Sequence, residues 1–268
     1  MNYRFDKKIH LHLLDEKPLT GTSSIEDVLS KPLTWWASGK AVETFGWLYP
    51  KIKKDGKVVG EVSLEERLKV SEPLRLAIGK DTPEEYLKRL DEAYKAHSVK
   101  LKDSAKSGVN LHEELERFVK GEMGIMPKGT YDPKIQPFID WAEKTVKQFL
   151  YSESHCFDQE LWVGGISDAG AEMNDGTLAL LDFKSAKEAY TAHFIQAAGY
   201  AIQIEKNGLW DSQGKVNKKL DKPFDSLIVI PFGAEVIEPA IRHNVADYKE
   251  GFRNCVSLYR LLGLSKIN

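Results

Sequence analysis

The sequence predicts an α/β fold, a mixed central sheet flanked by helices, with a mainly helical N-terminal half. Three observations lead there. Two short runs, "TLALLDFK" at 177–184 and "DSLIVIPF" at 225–232, have the length and the Leu/Ile/Val content of strands buried on both faces. Between them, "EAYTAHFIQAAGYAIQIEKN" at 188–207 repeats its apolar residues at helical spacing and halts at Asn207-Gly208. Upstream, the stretch from Ser63 to Glu122 is charged and helical in pattern and carries no strand signal.

Taken in order, residues 3–14 alternate as a short strand or hairpin arm. "SSIEDVLSKPLTWWASGKAVETFGWL" opens with Ser23 and Glu26 at capping-box spacing and reads as a helix pair broken at Pro32. Residues 50–63 have a loop or hairpin composition, and Thr82 before "PEE" is a good helix start. A further helix is expected over 134–150. Then the character changes to strands, "HCFDQELWVG" at 155–164 and "GISDAGAEM" at 165–173. Asn174-Asp175-Gly176 supplies a hairpin turn, because Asp-Gly tolerates positive φ. After the strand at 225–232, "AEVIEPAI" is a candidate fifth strand, and an amphipathic helix closes the chain at Gly263. The lysines at 215, 218, 219 and 222 read as a solvated loop. The expected division is a helical elaboration over 1–104 and an α/β core over 105–268, together one compact unit.

Composition narrows the function classes. The chain has 268 residues, 42% hydrophobic and 29% charged, which describes a globular protein with a sizeable core. No apolar run approaches the roughly 20 residues that span a bilayer, and the N-terminus has no signal-peptide pattern. Cys156 and Cys255 are the two cysteines, so neither a disulfide framework nor a four-thiolate cluster is available. A reducing cytoplasm fits best, and no membrane is expected. A net charge of −2 argues against holding duplex DNA on a broad basic surface. A narrow channel for a single strand is still compatible with it.

The chemistry concentrates in "GGISDAGAEMNDGTLALLDFKSAK", 164–187. An apolar strand ending in Asp182 and Lys184 puts two charges on one face, and burial of such charges is costly unless they are paired or hold a metal. Asp168 is the natural third member. Two aspartates and the Phe183 carbonyl suffice for a hard divalent cation such as Mg²⁺ or Mn²⁺. Lys184 is then free to orient water or stabilise charge on a phosphate. As bare residues, Asp182 and Lys184 also fit a surface ion pair at a frayed strand end, with Asp168 unrelated.

These motifs resemble the PD-(D/E)XK nuclease superfamily, in which an Asp is followed by a hairpin and then by (D/E)-x-K, here Asp168 and "DFK" at 182–184. "QAAGY" is similar to the Gln-x-x-x-Tyr motif of the RecB-like branch, at Gln196 and Tyr200, and "GVNLHEELE" to its His-bearing helix, at His112. The texture is that of mitochondrial genome-maintenance and phage exonucleases, covering about 105–260 well and 20–45 loosely. The resemblance implies a restriction-endonuclease-like core and a metal-dependent DNA exonuclease acting on single-stranded ends. Asp168, Asp182, the Phe183 carbonyl and His112 would serve the metal, and Lys184 the reaction. Gln196, Tyr200, Glu116 and Glu160 would support them. It further implies a bacterial or phage-infected cell and association with replication or recombination proteins. A structure-selective endonuclease and a non-catalytic binding module are the alternatives. Helices carrying Trp35, Trp36 and the 82–120 region are expected to arch over the cleft and confine a strand.

Overall fold

The computed structural model describes residues 2–29, 76–233 and 237–264, together with positions 41, 63, 65, 69, 72 and 73. The expectations for Trp35, Trp36 and the 50–62 loop lie outside the described residues. The chain divides into two units, residues 1–30 with 107–268, and residues 31–106. The first thirty residues therefore go with the core, and the boundary near 105 falls at 106/107, inside a long helix.

The first unit begins with β1 (Tyr3–Asp6), β2 (Leu11–Leu14), β3 (Lys17–Pro18) and β4 (Thr20–Gly21). The first three form a small antiparallel sheet, so the alternation at 3–14 is a hairpin. A short helix α1 (Thr22–Ile25) and a 3₁₀ turn (Glu26–Leu29) follow. The Ser23–Glu26 capping box is not made, because the cap position is Gly21 and no side chain bonds there. Helix α2 (Pro83–Glu122) starts just after Thr82, as its sequence suggests, and is closed there by a capping box. There Glu85 N–H donates to Thr82 Oγ1 at 3.3 Å and Thr82 N–H to Glu85 Oε2 at 2.8 Å.

Helix α3 (Gln136–Thr145) stops earlier than the sequence pattern suggests. Val146 turns extended, and "VKQFLY", with its β-branched and aromatic residues, joins a 13-residue strand β5 (Val146–Asp158). β5 is antiparallel to β6 (Val163–Met173) through a turn at 159–162, so the chain reverses before Gly164. Asn174 to Gly176 makes the next reversal, with Gly176 at φ 83°, into β7 (Leu178–Lys184). Helix α4 (Thr191–Asn207) ends at Gly208, φ 81°. β8 (Leu209–Trp210) pairs with β9 (Val216–Lys218), so Lys218 lies in a strand, while Lys215, Lys219 and Lys222 lie outside strands as expected. Then come β10 (Ser226–Pro231), β11 (Ala240–Arg242) and helix α5 (Val245–Leu261).

The large sheet runs β11-β10-β7-β6-β5-β8-β9, with β4 beside β6. Its order is mostly antiparallel, but β10 is parallel to β7. That parallel step needs a crossover, which α4 provides. One face packs Ala169, Leu181 and Phe183 against Leu115 of α2 and Phe138 of α3. The other packs Leu178, Leu180 and Val229 against Phe194, Ala197 and Ala201 of α4. β7 is thus covered on both sides, as its unbroken apolar run requires. Among the described residues no helix is long and apolar enough to cross a membrane.

The small sheet is pinned to β5 by a buried polar contact. Tyr3 Oη lies 2.6 Å from His12 Nδ1 and 3.1 Å from His155 Nδ1. The hydroxyl has one proton to give, so one histidine accepts and the other donates. Burial, with His155 and His10 nearby, drives the His12 pKa down to about 3. His12 is therefore neutral when folded and titrates near its ordinary value when unfolded. Its contribution to stability is present above about pH 6.5 and is lost as pH falls toward the folded value. Chemical denaturation at pH 7 and pH 4.5 should show a smaller loss for His12→Asn than for wild type; equal losses would contradict this account.

Candidate metal and phosphate site

The ladder between β6 and β7 stops at the Ala169–Leu181 pair. Beyond it the two strands separate, and the Asp168 carboxylate fills the opening. Its Oδ2 accepts the Phe183 N–H at 2.6 Å, taking the place of a backbone partner. A residue's N–H and C=O leave an antiparallel strand on the same edge, so the Phe183 carbonyl faces this opening too. Asp168 Oδ1 lies 3.1 Å from His112 Nε2, which reaches across from α2. The Phe183 ring packs edge-on against that imidazole at 5.8 Å.

Asp182 and Lys184 project from the other face of β7, toward α4. Asp182 is 1% exposed. Lys184 Nζ stands 3.0 Å from its Oδ2, a close ion pair that works against the raised Asp182 pKa and keeps the ammonium charged. Apart from that ion pair, Oδ2 is a buried carboxylate oxygen that meets no hydrogen-bond donor among the described residues. The ammonium's hydrogen bond goes to Gln196 Oε1 at 2.6 Å, and Gln196 Nε2 donates to Tyr200 Oη at 2.8 Å. Gln196 and Tyr200 are one helical turn apart, which aligns the relay along α4. Tyr200 lies against bare backbone: a Cβ at Gly165 would come within 2.6 Å of its ring. Glycine there is what lets the phenol close the chain of contacts.

The charges respond accordingly. Burial raises the Asp182 pKa to about 7, with Asp168 adding and Lys184 opposing. Burial alone would lower Lys184, but the Asp182 and Asp168 carboxylates raise it, so it stays charged. Burial likewise works against His112, while its hydrogen bond to Asp168 and the charges of Asp168, Glu153 and Asp182 lift it above its ordinary value. His193, one turn before Gln196 on α4, is pushed down to about 4 by burial and by Lys184.

A second group adjoins the first. Ligand atoms of His112, Glu116 and Glu153 lie within 4.8 Å of one another. Glu116 stands one turn after His112 and also pairs with Lys120. Glu153 faces the level of Asp168, since Ser152 pairs with Ala169 and Ser154 with Ser167. Its φ of 46° is unusual for a strand residue and represents local strain of the kind found at functional sites.

Of the residues read from the sequence, Asp168, Asp182, Phe183, Lys184, His112, Gln196 and Tyr200 are brought together, with Glu116 beside them. Glu160 is not. It sits beyond the end of β5, 78% exposed, and pairs with Lys206 at 2.8 Å. Strand alternation, which would point Glu160 inward, ends at Asp158 with the strand itself. Two acidic residues were missed. Glu26, half-buried with a pKa raised by burial, is felt by both Lys184 and Asp182. Glu153 lies in "SES", which belongs to no motif. For Glu26 the absence of a made cap was the only signal, and that requires the fold.

The donor set suits a hard cation. Oxygen ligands dominate, the Phe183 carbonyl joins two carboxylates, and the orphaned Asp182 Oδ2 is an acceptor for which the protein supplies no hydrogen bond. A scan against protein-family models finds no match to the chain, and a search of curated proteins finds none either.

Cation binding should raise the melting temperature of the wild-type protein and raise that of Asp182→Asn by clearly less. The rise should be larger at pH 8 than at pH 6, because a proton on Asp182 competes with the cation around pH 7. Thermal melts with Mn²⁺, Mg²⁺ and EDTA at both pH values check this. A rise of equal size in the Asn variant would remove Asp182 from the site.

Proposed function

We propose that the chain is a divalent-cation-dependent nuclease with a PD-(D/E)XK-type core of the RecB-like branch, cutting phosphodiester bonds at single-stranded DNA ends. The observation that carries this reading is the buried, hydrogen-bond-orphaned Asp182 oxygen beside Asp168 and a charged lysine. Burying a carboxylate so incompletely compensated is expensive, and a ligand cation is the compensation the donor set favours. The antiparallel β5-β6-β7 meander, the parallel β10 and the α4 crossover agree with such a core.

In this mechanism Asp168, Asp182 and the Phe183 carbonyl would hold Mg²⁺ or Mn²⁺. Such a cation, when bound, supplies Lewis-acid polarisation of a phosphoryl oxygen and a lowered pKa for water. Lys184, kept charged by its carboxylates, presents its ammonium to the attacking water or to a phosphate oxygen. Gln196 fixes the direction of that ammonium, and Tyr200 fixes Gln196. His112 holds Asp168 in orientation through Nε2; with Glu116 and Glu153 it offers a second, oxygen-rich position for a cation on the leaving-group side. Glu26 adds negative charge near Lys184, reinforcing its protonated state.

Digestion of strands labelled at either end, with Mg²⁺ and with EDTA, tests the reading. Loss of one such electrostatic group costs about a hundredfold or more in turnover. Asp182→Asn should therefore abolish cutting while strand binding holds or tightens, since a charge that repels phosphate is gone. Residual turnover above about a tenth of wild type would defeat the assignment.

Lys184→Ala should lower kcat by about a hundredfold and leave the cation-induced melting shift in place, because an ammonium does not ligate a cation. Gln196→Leu, which frees the ammonium without removing it, should lie between wild type and Lys184→Ala. Linear against circular single strands decides between end-dependent and internal cutting. A chain that binds strands yet cuts neither substrate with either cation would be a binding module.

A further inference from the structure

A cavity of about 720 Å³ opens beside the candidate site, in the first unit. Its floor is β5 from Leu150 to His155 and includes Glu153, whose carboxylate lies 4.0 Å from His112 Nδ1. One wall is the β1–β2 hairpin with Phe5, Lys7 and His10, and the other is the β8–β9 hairpin with Trp210 and Lys218. The small N-terminal sheet and the β8–β9 edge meet through the Phe5 N–H to Ser212 carbonyl bond at 3.2 Å, which closes the trough.

We infer that this trough binds the unpaired strand of a nucleic acid next to the cleavage position, stacking its bases on Phe5, His10 and Trp210 and holding its phosphates with Lys7 and Lys218. The inference rests on the proposed function for the identity of the neighbouring site and adds to it the path of the strand.

Four features favour this occupant. The volume is within the range of sites for drug-sized ligands, and so admits nucleotides, whereas a duplex is too wide. Flat rings line it at staggered angles, Phe5 lying 5.1 Å from His10 and 5.0 Å from His155, and π-faces of this kind bind bases without regard to sequence. Lys7 and Lys218 are exposed at its margin, and among the described residues neither ammonium has an ion-pair partner. A strand of phosphates supplies one at each repeat. Finally, the floor carries the polar residues Ser152 and Ser154, which suit the mixed polar and apolar surface of a nucleotide. The acidic residue of the far wall, Asp211, is already engaged by the Gln213 and Lys215 N–H groups at 2.9 Å each. Those bonds hold Asp211 ionised, and Glu153 in the floor is a second carboxylate, so the strand's phosphates must sit at the margin where Lys7 and Lys218 stand.

The test is fluorescence anisotropy of a labelled oligothymidine in EDTA, where nothing is cut. Lys7→Glu combined with Lys218→Glu should raise Kd by about tenfold or more and reduce the dependence of log Kd on log salt by about 1.4, two single-strand phosphate contacts. A charge-matched control, Lys144→Glu with Lys222→Glu at the opposite end of β7, should bind within about twofold of wild type. Photo-crosslinking with 4-thiothymidine strands should mark peptides spanning 5–10 or 209–212. Groove variants that bind like the control, crosslinks confined to other peptides, or a wild-type protein that binds no strand would each overturn the inference. The two readings fail separately. A wild type that binds through the trough but cuts nothing ends the nuclease proposal and leaves the trough, whereas one that cuts with the groove variants unimpaired ends the trough alone.

Discussion

The structure turns on a carboxylate placed where carboxylates are expensive. Asp182 occupies an interior position of β7, between the sheet and α4, at 1% exposure. Its flanking residues Leu180, Leu181 and Phe183 are core residues, so it cannot turn to solvent without unpairing the strand. Desolvation of an unpaired charge there would be prohibitive. The protein answers by placing Lys184 two residues on, on the same face, and by leaving one oxygen without a hydrogen bond. Burial still holds the Asp182 pKa above the ordinary carboxylate range despite that lysine. Completion by a cation would supply what the chain itself withholds.

Much of the surrounding architecture serves to hold that arrangement. The parallel β7–β10 pair fixes β7 in the middle of the sheet, and α4, which makes the crossover possible, carries Gln196 to the ammonium. The separation of β6 from β7 after Ala169 frees the Phe183 backbone for Asp168. Gly165 lets Tyr200 approach β6 closely enough to anchor Gln196. α2 delivers His112 to the rim because Leu111, Leu115, Phe118 and Val119 bury the rest of that helical face. Chains of this kind distribute one function over several elements, so that each side chain is oriented by the next.

The central part of this was legible in the sequence, for a physical reason. An apolar run that ends in two charges on one face contradicts the burial its own composition demands, and such contradictions mark sites. The period of α4 then put Gln196 and Tyr200 on one side, and Asn174-Asp175-Gly176 fixed the β6–β7 reversal. What was not legible depended on tertiary pairing. Val146 to Leu150 has helical neighbours, and only pairing with β6 makes it strand. The hairpin that takes in Lys218 was hidden because its strands, Leu209–Trp210 and Val216–Lys218, are too short to show alternation. Glu26 and Glu153 come from segments remote in sequence, and Glu160 was misplaced because the strand's end cannot be seen in alternation alone.

The claim on which the rest stands is that Asp168, Asp182 and the Phe183 carbonyl together form a cation position. Anomalous diffraction from crystals of the protein soaked in Mn²⁺ measures this directly. The account predicts an anomalous peak between the two carboxylates, with the Phe183 carbonyl oxygen within about 2.5 Å of the ion. A further peak among His112, Glu116 and Glu153 is compatible with it. No peak at the aspartates, or manganese found only elsewhere on the surface, would contradict it.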